Sequence, residues 1–141
     1  NGDRGVATSN RAHRCGLDSS ALDSANREVL GVVQIESVQA VEQVEEIAAL
    51  DGADVLFVGP RDLSHSLGVP GDFGAPTYLA ALDRVRAAAH LHGKAGGLMV
   101  PDGAAAAARL GEGWTFLAVA SDSTLLAAAV TAELARARAA N

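Results

Sequence analysis

Two short apolar runs that each stop on a carboxylate set the tightest limit on how this chain folds. Val32-Val33-Gln34-Ile35 ends on Glu36, and Val55-Leu56-Phe57-Val58 runs through Gly59-Pro60 to Asp62, with an acidic-faced helical segment between the two. A strand, a helix and a second strand in that order form a right-handed crossover with parallel strands, and neighbouring parallel strands deliver both acids to one crevice beyond the sheet. Two carboxylates with water suit a hard divalent cation such as Mg²⁺ or Mn²⁺.

The alternation continues beyond that unit. Residues 31–36 and 54–58 read as buried strands, apolar without alternation, as in a sheet covered on both faces. Between them Val38, Val41, Val44, Ile47 and Leu50 recur at helical spacing, and Asp51-Gly52 ends the helix. Residues 63–67 read as one short helical turn before GVPGDFGAP. A helix over 77–92 presents Leu79, Leu82, Val85 and Ala89 on one face and stops at Gly93. Residues 94–100 are a third strand, Pro101-Asp102 opens an alanine-rich helix ending near Gly111, and 115–120 is a fourth strand. Ser121 or Asp122 caps a last helix whose Leu126, Val130 and Leu134 make an apolar stripe. Residues 1–30 read as a lead-in with one short helix at 20–28, ahead of four strand–helix units over 31–141 in a single partial domain. Four such units fit an open doubly wound sheet or half of an eight-stranded α/β barrel. No G-x-G-x-x-G follows the first strand, and Gly96-Gly97 lie inside a strand, which favours the barrel.

Composition removes several classes of function. With 141 residues, 49% of them hydrophobic, the chain can build one core. A net charge of -6 and a single lysine, Lys94, leave no cluster of cations for nucleic acid. Cys15 stands alone, which excludes an internal disulfide or thiolate cluster and points to a reducing cytoplasm. No apolar run reaches the length of a membrane span, and NGDRGV lacks the pattern of a signal peptide. A start on Asn1 without Met raises the expectation of a piece of a longer protein.

Glu36 and Asp62 fall where barrel enzymes keep their chemistry. A lone acid there serves equally well as a helix cap or first-turn charge, but two at equivalent positions of neighbouring strands favour a metal site. Gln34, two residues before Glu36, shares its side of the pleat and is either a partner for a ligand oxygen or a satisfied interior amide. The turn Gly59-Pro60-Arg61-Asp62 offers backbone N–H groups to a substrate carboxylate, with the Arg61 side chain facing solvent. His65 reads as surface, since a hard oxygen site needs no imidazole. His90 and His92 suit a helix C-terminus and His13 a loop, none with a partner that makes it catalytic. Trp114 and Tyr78 read as packing residues. A Schiff-base aldolase needs a lysine at the carboxyl end of a barrel strand, whereas Lys94 opens its strand on the opposite face, so carbonyl activation falls to a metal.

At QIES, then at LFVGPRDLSHSLG, the chain resembles the HpcH/HpaI aldolase family, metal-dependent 2-oxo acid aldolases built on a modified TIM barrel. RGV at Arg4, GKAGGLMV and FLAVASDSTLL extend the resemblance over nearly the whole chain. It implies that Glu36 and Asp62 bind the divalent ion, Mg²⁺ or Mn²⁺ with Co²⁺ a further candidate. It implies too that Gln34 touches substrate and that the backbone around Gly59, Pro60, Arg61 and Asp62 holds the pyruvate carboxylate. Family members are about twice this long, and these residues correspond to strands five to eight. The family's catalytic histidine, its supporting aspartate and the enolate-stabilising arginine belong to the other half. The family often has a small residue at Arg61, where only the amide is needed. The expected function is reversible cleavage of a 4-hydroxy-2-oxo acid to pyruvate and an aldehyde by a cytoplasmic homo-oligomer, inactive as this half alone. Alternatives are a citryl- or malyl-CoA lyase-like enzyme, for which no nucleotide-binding surface is found, and a catalytically silent half-barrel that associates with other chains.

Overall fold

The computed structural model describes residues 5, 7–18 and 20–139, so Arg4 and Val6 of the RGV segment lie outside the described residues. The chain divides into two compact units, Asn1–Leu30 and Gly31–Asn141. In the first, a 3-10 turn at Arg11–Gly16 is capped by Asn10, whose side chain accepts the His13 N–H at 3.1 Å, and α1 spans Ala21–Glu28. His13, expected in a loop, is buried within that turn.

The second unit is built on four parallel strands in the order of the sequence: β1 Val32–Ile35, β2 Val55–Val58, β3 Ala95–Val100 and β4 Phe116–Val119. After β1 come α2 Val38–Glu42 and α3 Val44–Ala48, and after β2 come α4 Pro60–Ser66 and α5 Pro76–Leu91. Strand β3 leads into α6 Gly103–Gly111 and β4 into α7 Asp122–Ala139. The register sets Ile35 beside Val58, Val58 beside Leu98 and Leu98 beside Leu117. Those side chains point with Leu56 and Val100 into a core closed by Val85 and Ala88 of α5, and Trp114 packs over Gly96. The opposite row is Gln34, Phe57, Gly97 and Phe116. Among the described residues no helix is long and apolar enough to cross a membrane.

β1 departs from the expected strand buried on both faces. Val32 is 46% exposed and Gln34 is exposed, because helices cover only one side of this sheet. Met99, 43% exposed, opens on the same uncovered side as Gln34.

The single helix expected over 38–50 is broken at Gln43, whose ψ of 12° separates α2 from α3. The apolar stripe explains the break. A strict repeat of three falls about 60° short of a full turn at each step, so it walks around a straight α-helix. With the kink, Val41, Val44 and Ala48 are buried while Leu50 is left 58% exposed. On α5, Leu79 is 40% exposed and Tyr78 takes the core position instead, its ring 5.5 Å from that of Phe73. Burial raises the Tyr78 phenol above its ordinary pKa against the lowering pull of Arg109. The turn expected at 63–67 begins earlier, with Pro60 in the first helical turn, where its missing N–H costs nothing. Ser121 rather than Asp122 caps α7, its hydroxyl accepting the Thr124 N–H at 3.2 Å, while the stripe Leu126, Val130 and Leu134 stays exposed.

Close approach requires glycine at position 97. A Cβ there would lie 2.7 Å from Phe57 Cδ2 and 3.0 Å from Val55 Cγ1, beside the edge-to-face Phe57–Phe116 pair. Gly97→Ala is expected to destabilise the fold by about 1–3 kcal/mol in urea denaturation.

Candidate functional site

The carboxyl ends of β1 and β2 carry the candidate site residues. β1 ends on Ile35, and the Gly59 N–H bonds the Ile35 carbonyl at 3.3 Å, which carries the pairing one step past the strands and sets Glu36 beside Gly59. Gln34 and Glu36, two apart, share the face turned away from the core. Their side chains meet at Gly59: a Cβ built there would stand 2.9 Å from Gln34 Nε2 and 2.9 Å from Glu36 Oε2. Gln34 is exposed and Glu36 half-buried, so both ends remain accessible to a ligand.

Asp62 follows in the first turn of α4, exposed, with Pro60 before it and Arg61 pointing to solvent as expected. The helix opens with the Leu63 N–H bonded to the Gly59 carbonyl at 2.9 Å. The N–H groups of Arg61 and Asp62 therefore precede any helical acceptor. His65 is exposed on the same helix. Among the described residues no three His, Cys, Asp or Glu side chains form a cluster able to hold a metal by themselves. The candidate donors are two carboxylates, Glu36 and Asp62, and the Gln34 amide, all hard oxygen or nitrogen donors. That set fits Mg²⁺ or Mn²⁺, which keep waters and take one or two carboxylates plus substrate oxygens, and does not fit a closed structural zinc site.

Two serines that sequence reasoning passed over hold these segments together. Ser66 Oγ accepts the Val38 N–H at 3.0 Å, tying the turn after Glu36 to the end of α4. Ser64, fully buried, donates to the Arg61 carbonyl at 2.7 Å and accepts from the Gly71 N–H at 3.0 Å. Hydroxyl-to-backbone bonds of this kind are local chemistry, but the only signal in the sequence is a serine pair behind Asp62.

The opposite end of the sheet holds the remaining candidates. Lys94 stands just before β3 and donates from Nζ to the Leu50 carbonyl at 3.1 Å. His92 lies 3.1 Å from Glu45 Oε2, and Arg84 donates to the Glu42 carbonyl at 2.8 Å. These contacts fasten α5 to α2 and α3. His90 is exposed.

Four parallel strand–helix units in sequence order, helices on one face and the other face open, define half of a TIM-type α/β barrel. A solved structure agrees: an HpcH/HpaI aldolase/citrate lyase family protein from Burkholderia cenocepacia superposes with a TM-score of 0.85 at 41% identity, over 96% of this chain and 52% of that one. The HpcH/HpaI aldolase/citrate lyase family model matches residues 4–129, and the chain belongs to that family. It is 41% identical over 121 residues to a hydroxypyruvate/pyruvate aldolase from Paraburkholderia phytofirmans, a match covering 86% of this chain and 46% of the relative. It is 40% identical to a 5-keto-4-deoxy-D-glucarate aldolase from Shigella dysenteriae, covering 86% and 47%. The chain thus spans about half the length of the curated relatives it matches.

Proposed function

We propose that this chain carries the cation-binding and substrate-seating half of a divalent-metal-dependent aldolase that cleaves a 4-hydroxy-2-oxo acid to pyruvate and an aldehyde. The observation that supports it is the meeting of the Glu36 carboxylate and the Gln34 amide at side-chain-free Gly59, the first residue of the turn that presents Asp62. Relatives named for pyruvate, hydroxypyruvate and 5-keto-4-deoxy-D-glucarate favour a 2-oxo acid as the substrate class.

In this reading Glu36 and Asp62 hold Mg²⁺ or Mn²⁺, and Co²⁺ serves in their place. The bound ion supplies Lewis acidity to the 2-oxo group. Gln34 donates its amide N–H to a substrate oxygen beside Glu36. The amides of Arg61 and Asp62 receive the substrate carboxylate, with Gly59 and Pro60 shaping the turn that aims them. The proton-transferring base comes from the half of the barrel that these residues do not contain. Residues 31–141 act as one partial barrel domain with 1–30 as its lead-in, and the working protein is a homo-oligomer.

The test is pyruvate release from a 4-hydroxy-2-oxo acid by the barrel that contains this chain. Activity is expected to vanish on chelation and return with Mn²⁺. Borohydride with pyruvate is expected to leave Lys94 unlabelled, because its Nζ is engaged with Leu50 at the far end of the sheet. Turnover indifferent to chelation, or a covalent pyruvate adduct on Lys94, would overturn the reading.

A further inference from the structure

Gly59 precedes a proline and sits at φ -86° and ψ 97°. That is extended backbone, open to any L residue and favoured before proline, so the conformation there does not call for glycine. Space does. A Cβ would approach Gln34 Nε2 and Glu36 Oε2 to 2.9 Å each and Glu36 Cβ to 3.2 Å. At Gly97 the crowding atoms are ring and methyl carbons of neighbouring strand residues, Phe57 Cδ2 and Val55 Cγ1. At Gly59 the two nearest are the polar tips of flexible side chains that can rotate toward solvent. A methyl group at 59 therefore displaces those two tips, while Glu36 Cβ at 3.2 Å gives by a few tenths of an ångström.

We propose that Gly59 is a positioning residue: the absence of a side chain there lets the Glu36 carboxylate and the Gln34 amide settle on one spot, so that position 59 governs cation affinity and not stability. This inference rests on the metal reading above. Gly59 touches no reacting atom in it and acts through Glu36 and Gln34. Its own N–H bond to the Ile35 carbonyl is a backbone contact that alanine preserves.

The experiment compares wild type, Gly59→Ala and Glu36→Gln by Mn²⁺ titration and by melting without metal. Gly59→Ala is expected to melt within about 2 °C of wild type in the absence of metal. It should bind Mn²⁺ about 10–100-fold more weakly, the size of effect seen when a residue that orients a metal ligand is changed. Glu36→Gln should lose Mn²⁺ binding. A Gly59→Ala chain that fails to fold or melts well below wild type overturns the inference, because the glycine would then serve the backbone. So does wild-type Mn²⁺ affinity in Gly59→Ala while Glu36→Gln has lost it, and that outcome leaves the metal reading standing. Wild type without Mn²⁺ affinity removes the metal reading and this inference with it.

Discussion

Residues 1–141 alone should release pyruvate from a 4-hydroxy-2-oxo acid on the order of 10²–10⁴ times more slowly than the same residues supplied with a first half from a family member, in cis or in trans. The reason is chemical: the described site offers carboxylates, an amide and turn N–H groups, all suited to holding an anion and a cation, and the proposed function places the base in the other half of the barrel. Removing a general base by itself accounts for a loss of that size. The reason is also structural. Val32 and Met99 stand 46% and 43% exposed on the same uncovered face of the sheet as Gln34, apolar surface of the kind that a barrel closes around. Supplying the other four strands covers that face, so recovery of activity should come with loss of dye binding to apolar surface. A coupled dehydrogenase assay with Mn²⁺ reads the first quantity. Ordinary enzymatic rates from residues 1–141 alone would show that the base lies within this chain.

Mn²⁺ should raise the melting temperature of the wild-type chain, and the double variant Glu36→Gln with Asp62→Asn should abolish the rise. Both substitutions keep the shape of the side chain and remove its charge, so the fold is expected to survive. A ligand that binds only the native state stabilises it by about 2.7 kcal/mol at a free concentration roughly 100 times its Kd. For a domain of this size that is on the order of 10 °C. Differential scanning fluorimetry with Mn²⁺, Mg²⁺ and Co²⁺ measures it, with Ca²⁺ as a comparison for size. A double variant stabilised as strongly as wild type would take the cation away from Glu36 and Asp62.

Local chemistry made much of this legible. The strands are mostly apolar runs, Gly59-Pro60 stops one of them for want of a proline N–H, and Asp102 accepts the Ala105 N–H at 2.8 Å as an N-cap should. The placement of Glu36 and Asp62 after successive strands follows from the same reading, because the end of a strand and the start of a helix are written in adjacent residues. The position of Lys94 at the far end of the sheet is of that kind too.

What resisted reading depends on elements distant along the chain. A run such as VVQI looks buried on both faces, yet which faces are covered depends on helices elsewhere, and here Val32 and Gln34 look out from an open one. Leu79 and Tyr78 compete for one core position, and only the packing of α5 against the sheet gives it to Tyr78. The apolar stripe of α7 meets nothing that buries it, although its spacing is as regular as that of helices that are covered. The site divides in the same way. The places of Glu36 and Asp62 after their strands could be read, because backbone periodicity is a property of neighbours. The meeting of Gln34 and Glu36 at Gly59, and the bond from Val38 to Ser66, join residues some two dozen positions apart, and such contacts exist only once parallel pairing has set one strand beside the other.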